Sequence, residues 1–303
     1  MRKTAKNNLI ISGIVLLVCC LVNQAGAQVQ PLYSQYMFNG SVINPAYMSM
    51  DESYNLNTVY RNQWGGFEGA PKTGTISFTM PAFTTNTSLG IMALQDKVGV
   101  DEETGVNLML SQRVSITEDS YLALGVTGGF SYYRERNSDL GQPHDPLFRD
   151  DNTLKRASLG LGLMYFSDRF FIGLSSPAFK KLTLADERAE LQAVGHYYLS
   201  AGYLFDLDDD FKFKPTALLK KTGRSSIQTE MMASILVKDV IWLGAGYRQN
   251  ESVLGMFQIL LGKNVQIGYS YDHASRNLYK GSHEIALRYR FGRKGREISP
   301  CYF

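Results

Sequence analysis

The chain has 303 residues, 44% of them hydrophobic, with a mean hydropathy of -0.17 and 31 Lys plus Arg against 28 Asp plus Glu. Arg2, Lys3 and Lys6 account for the whole excess of +3, and without the first 27 residues the balance is 28 against 28. That neutrality excludes the clustered basic face of a nucleic-acid-binding domain, while 28 Gly, 18 Tyr, 16 Phe and only 9 Pro suit strands and tight turns in one large all-β domain.

Behind the basic start, Leu9 to Val22 form an apolar run, and Ala25-Gly26-Ala27 supplies a small-x-small site before Gln28. Residues 1–27 are therefore expected to be a secretory signal peptide cleaved after Ala27. The run is broken by Ser12 and Gly13 and is shorter than the roughly 20 apolar residues of a spanning helix. Neither Cys19 nor Cys20 follows the small residue that a lipoprotein cleavage box needs, so lipidation is not expected. Cleavage leaves Cys301 alone, and the exported domain must hold together without an internal disulfide.

From Gln28 to Asp51 the chain carries Pro31, Pro45 and several Tyr but no strand pattern. Residues 28–53 are expected to form a plug-like segment. After residue 27 no apolar stretch could span as a helix, so a membrane location calls for a β-barrel. Period-two segments support one. In HEIALRYRF, Ile285, Leu287, Tyr289 and Phe291 share one face and Glu284, Ala286, Arg288 and Arg290 the other, and NVQIGYSYD and HYYLSAGYLF repeat the pattern. Candidate strands fall at 54–63, 72–82, 87–96, 104–117, 120–134, 154–166, 169–175, 194–205, 211–220, 227–237, 240–249, 252–261, 264–272 and 282–291.

Fourteen is an even number, as bacterial outer-membrane barrels have. The connections 135–153, 176–193 and 273–281 follow odd strands and are long, whereas Glu118-Asp119, Ser167-Asp168 and Gly262-Lys263 follow even strands and are short. Such sorting fits long extracellular loops and short periplasmic turns. LGMFQILLG (Leu254–Gly262) and GLGLMYF (Gly160–Phe166) alternate poorly, as strands with lipid outside and a plug inside would. The expected fold is all-β: a transmembrane outer-membrane β-barrel of about 14 antiparallel strands over 54–291, with the N-terminal plug-like segment before it and a basic periplasmic tail, 292–303, after it.

No catalytic, cofactor or metal site is expected, and the chain is read as a non-enzyme. Its histidines, His144, His196, His273 and His283, form no His-Glu-x-x-His pair, and there is no Gly-x-Ser-x-Gly elbow or phosphate loop. His273, Ser275 and His283 flank one loop and define a hydrolase reading, but no spacing makes nucleophile, base and orienter converge. Asp206 to Asp210 lacks the Gly and distal Glu of a calcium loop and is read as a solvated turn. Lys212, Lys214, Lys220, Glu230, Asp272, Glu284, Arg288 and Arg290 fall on inward positions. Their mixed signs predict a closed lumen of paired charges in preference to a charged conduction path. Arg293, Lys294 and Arg296 outnumber Glu297 in the tail and are candidates for contact with an acidic periplasmic partner.

The segment YRNQWGGFEGAPKT (Tyr60–Thr73) ends a strand in a Gly-rich bend, with Gly65, Gly66 and Gly69 free to adopt positive φ and Pro71 holding Ala70 extended. It resembles the signature of the PorP/SprF family of type IX secretion system outer-membrane proteins. QYMFNGSVINPAY (Gln35–Tyr47), HYYLSAGYLFDL with FKFKPTALLK, and HEIALRYRF are similar to other blocks of that family. The resemblance implies an outer-membrane component that helps to secrete or anchor cell-surface proteins such as adhesins, with a link to gliding motility. It also implies other type IX components and periplasmic proteins as partners. Arg61, Gln63, Trp64, Phe67 and Glu68 are the candidate partner contacts on the bend. The competing expectation is a plugged outer-membrane channel or hydrophobic-solute transporter.

Overall fold

The computed structural model describes residues 34, 36, 38–82, 86–140, 151–185, 188–192, 195–223, 226–275 and 281–292. The expected signal peptide, His144 with most of the 135–153 connection, Cys301, and the tail residues Arg293, Lys294 and Arg296 lie outside the described residues.

The strands are β1 (Tyr54–Asn62), β2 (Lys72–Ala82), β3 (Thr87–Val98), β4 (Asp101–Ser115), β5 (Ser120–Glu135), β6 (Asn152–Ser167), β7 (Phe170–Ala185), β8 (Arg188–Gln192), β9 (His196–Tyr203), β10 (Phe205–Asp206), β11 (Phe211–Thr222), β12 (Gln228–Val237), β13 (Ile241–Arg248), β14 (Ser252–Leu261), β15 (Val265–Ala274) and β16 (Ser282–Phe291). β8, β9 and β10 follow one another along a single stave, since β8 and β9 pair with β7 while β9 and β10 pair with β11. β1 pairs with β16 from Tyr54↔Phe291 to Asn62↔His283 and closes the sheet. The result is a closed barrel of fourteen antiparallel staves. One rim, the terminal rim, holds the start of β1 and the end of β16. The other, the loop rim, holds the β1–β2 bend.

The burial pattern is that of a soluble protein turned inside out. Along β16, Ile285, Leu287 and Tyr289 are exposed, while Glu284, Ala286, Arg288 and Arg290 are buried. Leu110, Val126 and Leu161 are cross-strand partners in one exposed row. This is the alternation of a wall between lipid and a polar lumen. Aromatic rings border the apolar band at both ends. Tyr54, Phe78 and Phe291 stack near the terminal rim with centroids 5.2 to 6.4 Å apart, and Tyr269 and Tyr271 lie beside His283 near the loop rim. Between His283 and Phe291 β16 rises about 26 Å, which is about 20 Å along the axis at a 35–45° tilt and close to the height expected of an outer-membrane band. Among the described residues no helix is long and apolar enough to cross a membrane.

Two expectations are corrected at the loop rim. The 176–193 connection is mostly strand: β7 continues to Ala185 and β8 begins at Arg188. Pro177 ends the alternation in the sequence, but in the sheet it sits in a bulge. Leu161 pairs with Ser176 and Leu159 with Lys180, so residues 177–179 oppose Gly160 alone. A Cβ on Gly160 would collide with the Pro177 carbonyl, so only glycine leaves room for the bulge. The β3–β4 connection is the tight turn Gly99-Val100, with Gly99 at φ +60°. Excess chain at this rim therefore goes into long strands, with β4 to β7 at 15 or 16 residues, more than into long loops.

Before β1 the chain forms two 3-10 helices, Gly40–Val42 and Pro45–Met50, the second capped by the Asn44 side chain accepting from Ala46 N at 2.9 Å. Their residues pack on inward-facing side chains. Tyr36, Ile43 and Ala46 share an apolar cluster with Met164, Phe166, Phe171, Leu218, Trp242 and Met256. This explains the weakly alternating strands, for Met164, Phe166, Leu254 and Met256 are apolar on the lumenal face and buried there. Gly125 lies under Ala46 and Gly162 under Asn44, where a Cβ on either would strike the segment.

Candidate functional site

Closure of β1 on β16 brings inward charges from five strands together beneath the loop rim. Arg61 is 2% exposed and directs Nη2 to Asp272 at 2.6 Å and Nη1 to Glu284 at 3.1 Å. Arg248, 0% exposed, donates from Nε to Glu230 at 2.7 Å and from Nη1 to Glu251 at 3.1 Å and Asp272 at 3.3 Å. Into this cluster reaches Ser34. Its backbone N–H donates to Glu284 at 2.8 Å, its hydroxyl donates to Asp272 at 2.6 Å, and Arg61 Nη1 donates to the same hydroxyl at 2.6 Å. Buried ionised groups persist only when paired and hydrogen-bonded, and here the pairing runs through the N-terminal segment.

Toward the terminal rim the same segment is held by further arginines. Arg288 donates to Asn57 at 3.0 Å and to the Phe38 carbonyl, and its guanidinium lies 5.0 Å from the Phe38 ring centroid. Arg290 grips Asp51 with two bonds, at 2.9 and 3.1 Å. Arg113 donates to the Ser49 carbonyl at 3.0 Å and pairs with Glu52. Burial alone would raise the Asp51 carboxyl, but the Arg290 guanidinium, the Ser53 N–H and Arg288 more than offset this and hold it below the usual carboxylate range.

The bend of Tyr60–Thr73 divides the residues expected on it. Arg61 and Gln63 face the lumen and are buried, so their side chains do not share the surface of the bend. Trp64 is half-buried, while Phe67, 59% exposed, and Glu68 stand out at the rim. Gly66 and Gly69 take positive φ, but Trp64 at φ 52° does so where Gly65 was expected. The bend is fastened sideways: Gly65 N donates to Gly281 O at 3.0 Å, Trp64 N to Ser282 Oγ at 3.2 Å, and Gly99 N to Gly69 O at 2.8 Å. The result is a stiff corner joined to the neighbouring hairpins on both sides.

His273 and His283 project from the outer face, where His283 Nδ1 meets the Tyr269 hydroxyl at 2.8 Å and its ring lies 5.1 Å from that of Tyr271. Both belong to the aromatic border of the lipid-facing band. Lys214 sits over the Trp242 ring at 4.3 Å, and Lys212 pairs with Asp239 at 2.6 Å. Among the described residues no three His, Cys, Asp or Glu side chains converge as metal ligands.

Sequence reasoning placed Glu230, Asp272, Glu284 and Arg290 in the lumen but missed Arg248 and Ser34 as partners of the acids, Asp51 as the partner of Arg290, and the pairing of Arg113 with Glu52. The available signal was the phase of each strand. Arg61 and Arg248 occupy inward positions near the loop-rim ends of β1 and β13, level with three inward acids.

The family model of the type IX secretion system membrane protein PorP/SprF matches residues 25–289. Among solved structures, the CymD monoaromatic hydrocarbon channel matches with a TM-score of 0.51 at 12% identity, covering 84% of this chain and 93% of that one. The toluene transporter TbuX of Ralstonia pickettii matches with a TM-score of 0.51 at 11% identity, covering 84% and 94%. The outer-membrane protein Omp33 of Acinetobacter baumannii matches with a TM-score of 0.47 at 10% identity, covering 80% and 100%. At 12 and 11% identity the likeness to CymD and TbuX is one of fold alone. Among curated proteins none matches the sequence.

Proposed function

The chain belongs to the PorP/SprF family of type IX secretion system membrane proteins, and on that premise we propose that it is a non-enzymatic outer-membrane scaffold whose lumen is closed by its own N-terminal segment. In this reading residues 28–53 are the plug and the terminal rim faces the periplasm. The loop rim, with Phe67 and Glu68 at its surface, receives an exported surface protein such as an adhesin, which the protein helps to secrete or anchor. The basic tail, with Arg293, Lys294 and Arg296, meets other secretion components on the periplasmic side. In gliding species the cargo would include motility adhesins.

The observation that carries this reading is the lumenal packing. Ser34 is tied to Asp272 and Glu284 beneath the loop rim and Asp51 to Arg290 near the terminal rim, so one segment extends along the lumen with its polar groups paired at both ends. A conduction path needs charges that water and solute can reach, whereas these are used internally.

The test is site-specific photo-crosslinking in cells, from Phe67 on the rim and from Arg296 in the tail. Phe67 is expected to capture an exported surface protein and Arg296 a periplasmic secretion component. Capture of the same partner at both positions, or capture of only lipid and lipopolysaccharide from Phe67, counts against the scaffold.

A further inference from the structure

On the outer face, where β2 and β3 reach the loop rim, Lys72 and Lys97 are both exposed and stand directly opposite each other. Each lies ten residues from the terminal-rim end of its strand, Ala82 on β2 and Thr87 on β3. At about 3.4 Å per residue and a tilt of about 40° this is about 26 Å along the axis, against an apolar band of about 25 Å. The two ammonium groups therefore stand at the height of lipid headgroups. Asn62 pairs with Lys72 on one side and with His283 of the aromatic border on the other, so the row runs on from that border.

Like charges directly opposite each other destabilise a sheet, and the surrounding acids do not bridge this pair. Glu102 lies opposite Lys97 on its other side, but its Oε1 accepts from Gln95 at 2.9 Å and its Oε2 from Arg136 at 2.6 Å. Asp151 lies near Arg134 and Arg136. Asp96 turns into the lumen and accepts from Thr73 at 2.6 Å. Glu68 stands exposed on the neighbouring bend. Among the described residues neither Lys72 nor Lys97 forms a salt bridge. Below the pair the wall is hollowed. Gly74 faces outward between Tyr60 and Gln95, and a Cβ added to it would meet nothing within 4 Å. Tyr60, 49% exposed, stands on one side of this notch, and Ile76, Ala93 and Val106 carry the apolar wall downward from it.

Two opposed ammonium groups over an open notch, with an apolar surface beneath, match a phosphate group carried on acyl chains. A phosphomonoester bears a charge of about -1.5 to -2 at neutral pH, enough to offset both lysines together, whereas a phosphodiester bears only about half as much. We propose that Lys72 and Lys97 bind a phosphomonoester of lipid A, the glycolipid of lipopolysaccharide. The sugar that carries the phosphate lies over Gly74 beside Tyr60, and an acyl chain runs down over Ile76, Ala93 and Val106. One bound anion then relieves the repulsion within the lysine pair and fixes the loop rim against the leaflet. The choice of lipid A rests on the orientation proposed above, in which the terminal rim faces the periplasm and the loop rim lies in the outer leaflet.

The test is native mass spectrometry of the full chain, refolded in detergent free of lipopolysaccharide and titrated with bis-phosphorylated lipid A, with the same lipid A stripped of its phosphates, and with phosphatidylglycerol. The phosphorylated lipid A is expected to bind at least about tenfold more tightly than either of the others. Lys72→Gln with Lys97→Gln is expected to remove that preference, while Arg134→Gln, beside Glu102 and Asp151, keeps it. Equal binding of the phosphorylated and stripped lipids to the unaltered protein overturns the proposal, as do tighter binding of phosphatidylglycerol and a preference that survives the double variant. The three-lipid comparison on unaltered protein stands even where a variant fails to fold. Orientation is read separately, from labelling of Glu68→Cys by a membrane-impermeant maleimide in intact cells, in a Cys301→Ser background. Labelling without a preference for phosphorylated lipid A overturns the site and leaves the orientation standing. Absence of labelling overturns the orientation and, with it, the choice of lipid A.

Discussion

Replacing Arg61 with Met is the sharpest perturbation of the lumenal cluster. Arg61 is 2% exposed and makes close contacts with Asp272 at 2.6 Å, Glu284 at 3.1 Å and the Ser34 hydroxyl at 2.6 Å. Met fills much of the same space but leaves two buried carboxylates with less compensation. Breaking a buried pair by removing one partner costs about 3–5 kcal/mol. Arg248, 3.3 Å from Asp272, still offsets part of that acid's charge, which places the expected loss near about 3 kcal/mol. The assay is equilibrium urea unfolding of protein folded into phospholipid vesicles, followed by tryptophan fluorescence. The chain has 2 tryptophans, Trp64 beside the site and Trp242 buried in the lumen. Adding Asp272→Asn and Glu284→Gln to the Met variant should recover much of the loss, because the orphaned charges are then gone. A loss below about 1 kcal/mol for Arg61→Met, the range of exposed pairs, would refute the claim that the cluster is buried and structural.

Further expectations follow from the same geometry. Gly125→Val places a side chain where Ala46 sits, so chymotrypsin should cut at Tyr36, Phe38 or Tyr47 at least about tenfold faster while the barrel stays folded; unchanged cleavage would mean that the segment does not depend on that seat. Leu110→Arg, on a row 45% exposed at that residue, should cost about 2–4 kcal/mol in the vesicle assay, and an effect near zero would place the row outside the lipid. The Asp51 carboxyl is held below its ordinary value of 3.8. Its contribution to holding the segment is therefore complete above about pH 4 and is lost as the pH falls through the lowered value. Hydrogen exchange at Ala46 to Met50, corrected for intrinsic rates, should keep its protection down to about pH 4 and lose it below, and Asp51→Asn should remove that dependence.

The strand ladder was legible because side-chain alternation acts within a few residues. His283 to Phe291 reveals its two faces without reference to any other segment, and all fourteen staves were found near their true places. The upper parts of β4 to β8 were not legible. Asp101 to Glu103 and Glu135 put charges on both faces at the strand ends, so alternation of hydrophobicity stops there. Pro177 hid the continuity of β7, since its bulge depends on Gly160 in another strand. The cluster itself was half legible. Glu230, Asp272 and Glu284 could be assigned inward singly, but Arg61 meets Glu284 across 223 positions only because β1 closes on β16. Arg61 was consequently expected to act on the bend, where its neighbours Trp64 and Phe67 indeed lie, while its own phase turns it into the lumen.

The central claim, a barrel closed by its own N-terminal segment and acting as a scaffold, is tested most directly by single-channel recording of the intact protein in planar bilayers. The unaltered chain is expected to show no steady conductance, and Gly125→Val, where the segment loses its seat, to show open events. A stable, solute-selective pore in the unaltered chain would contradict it.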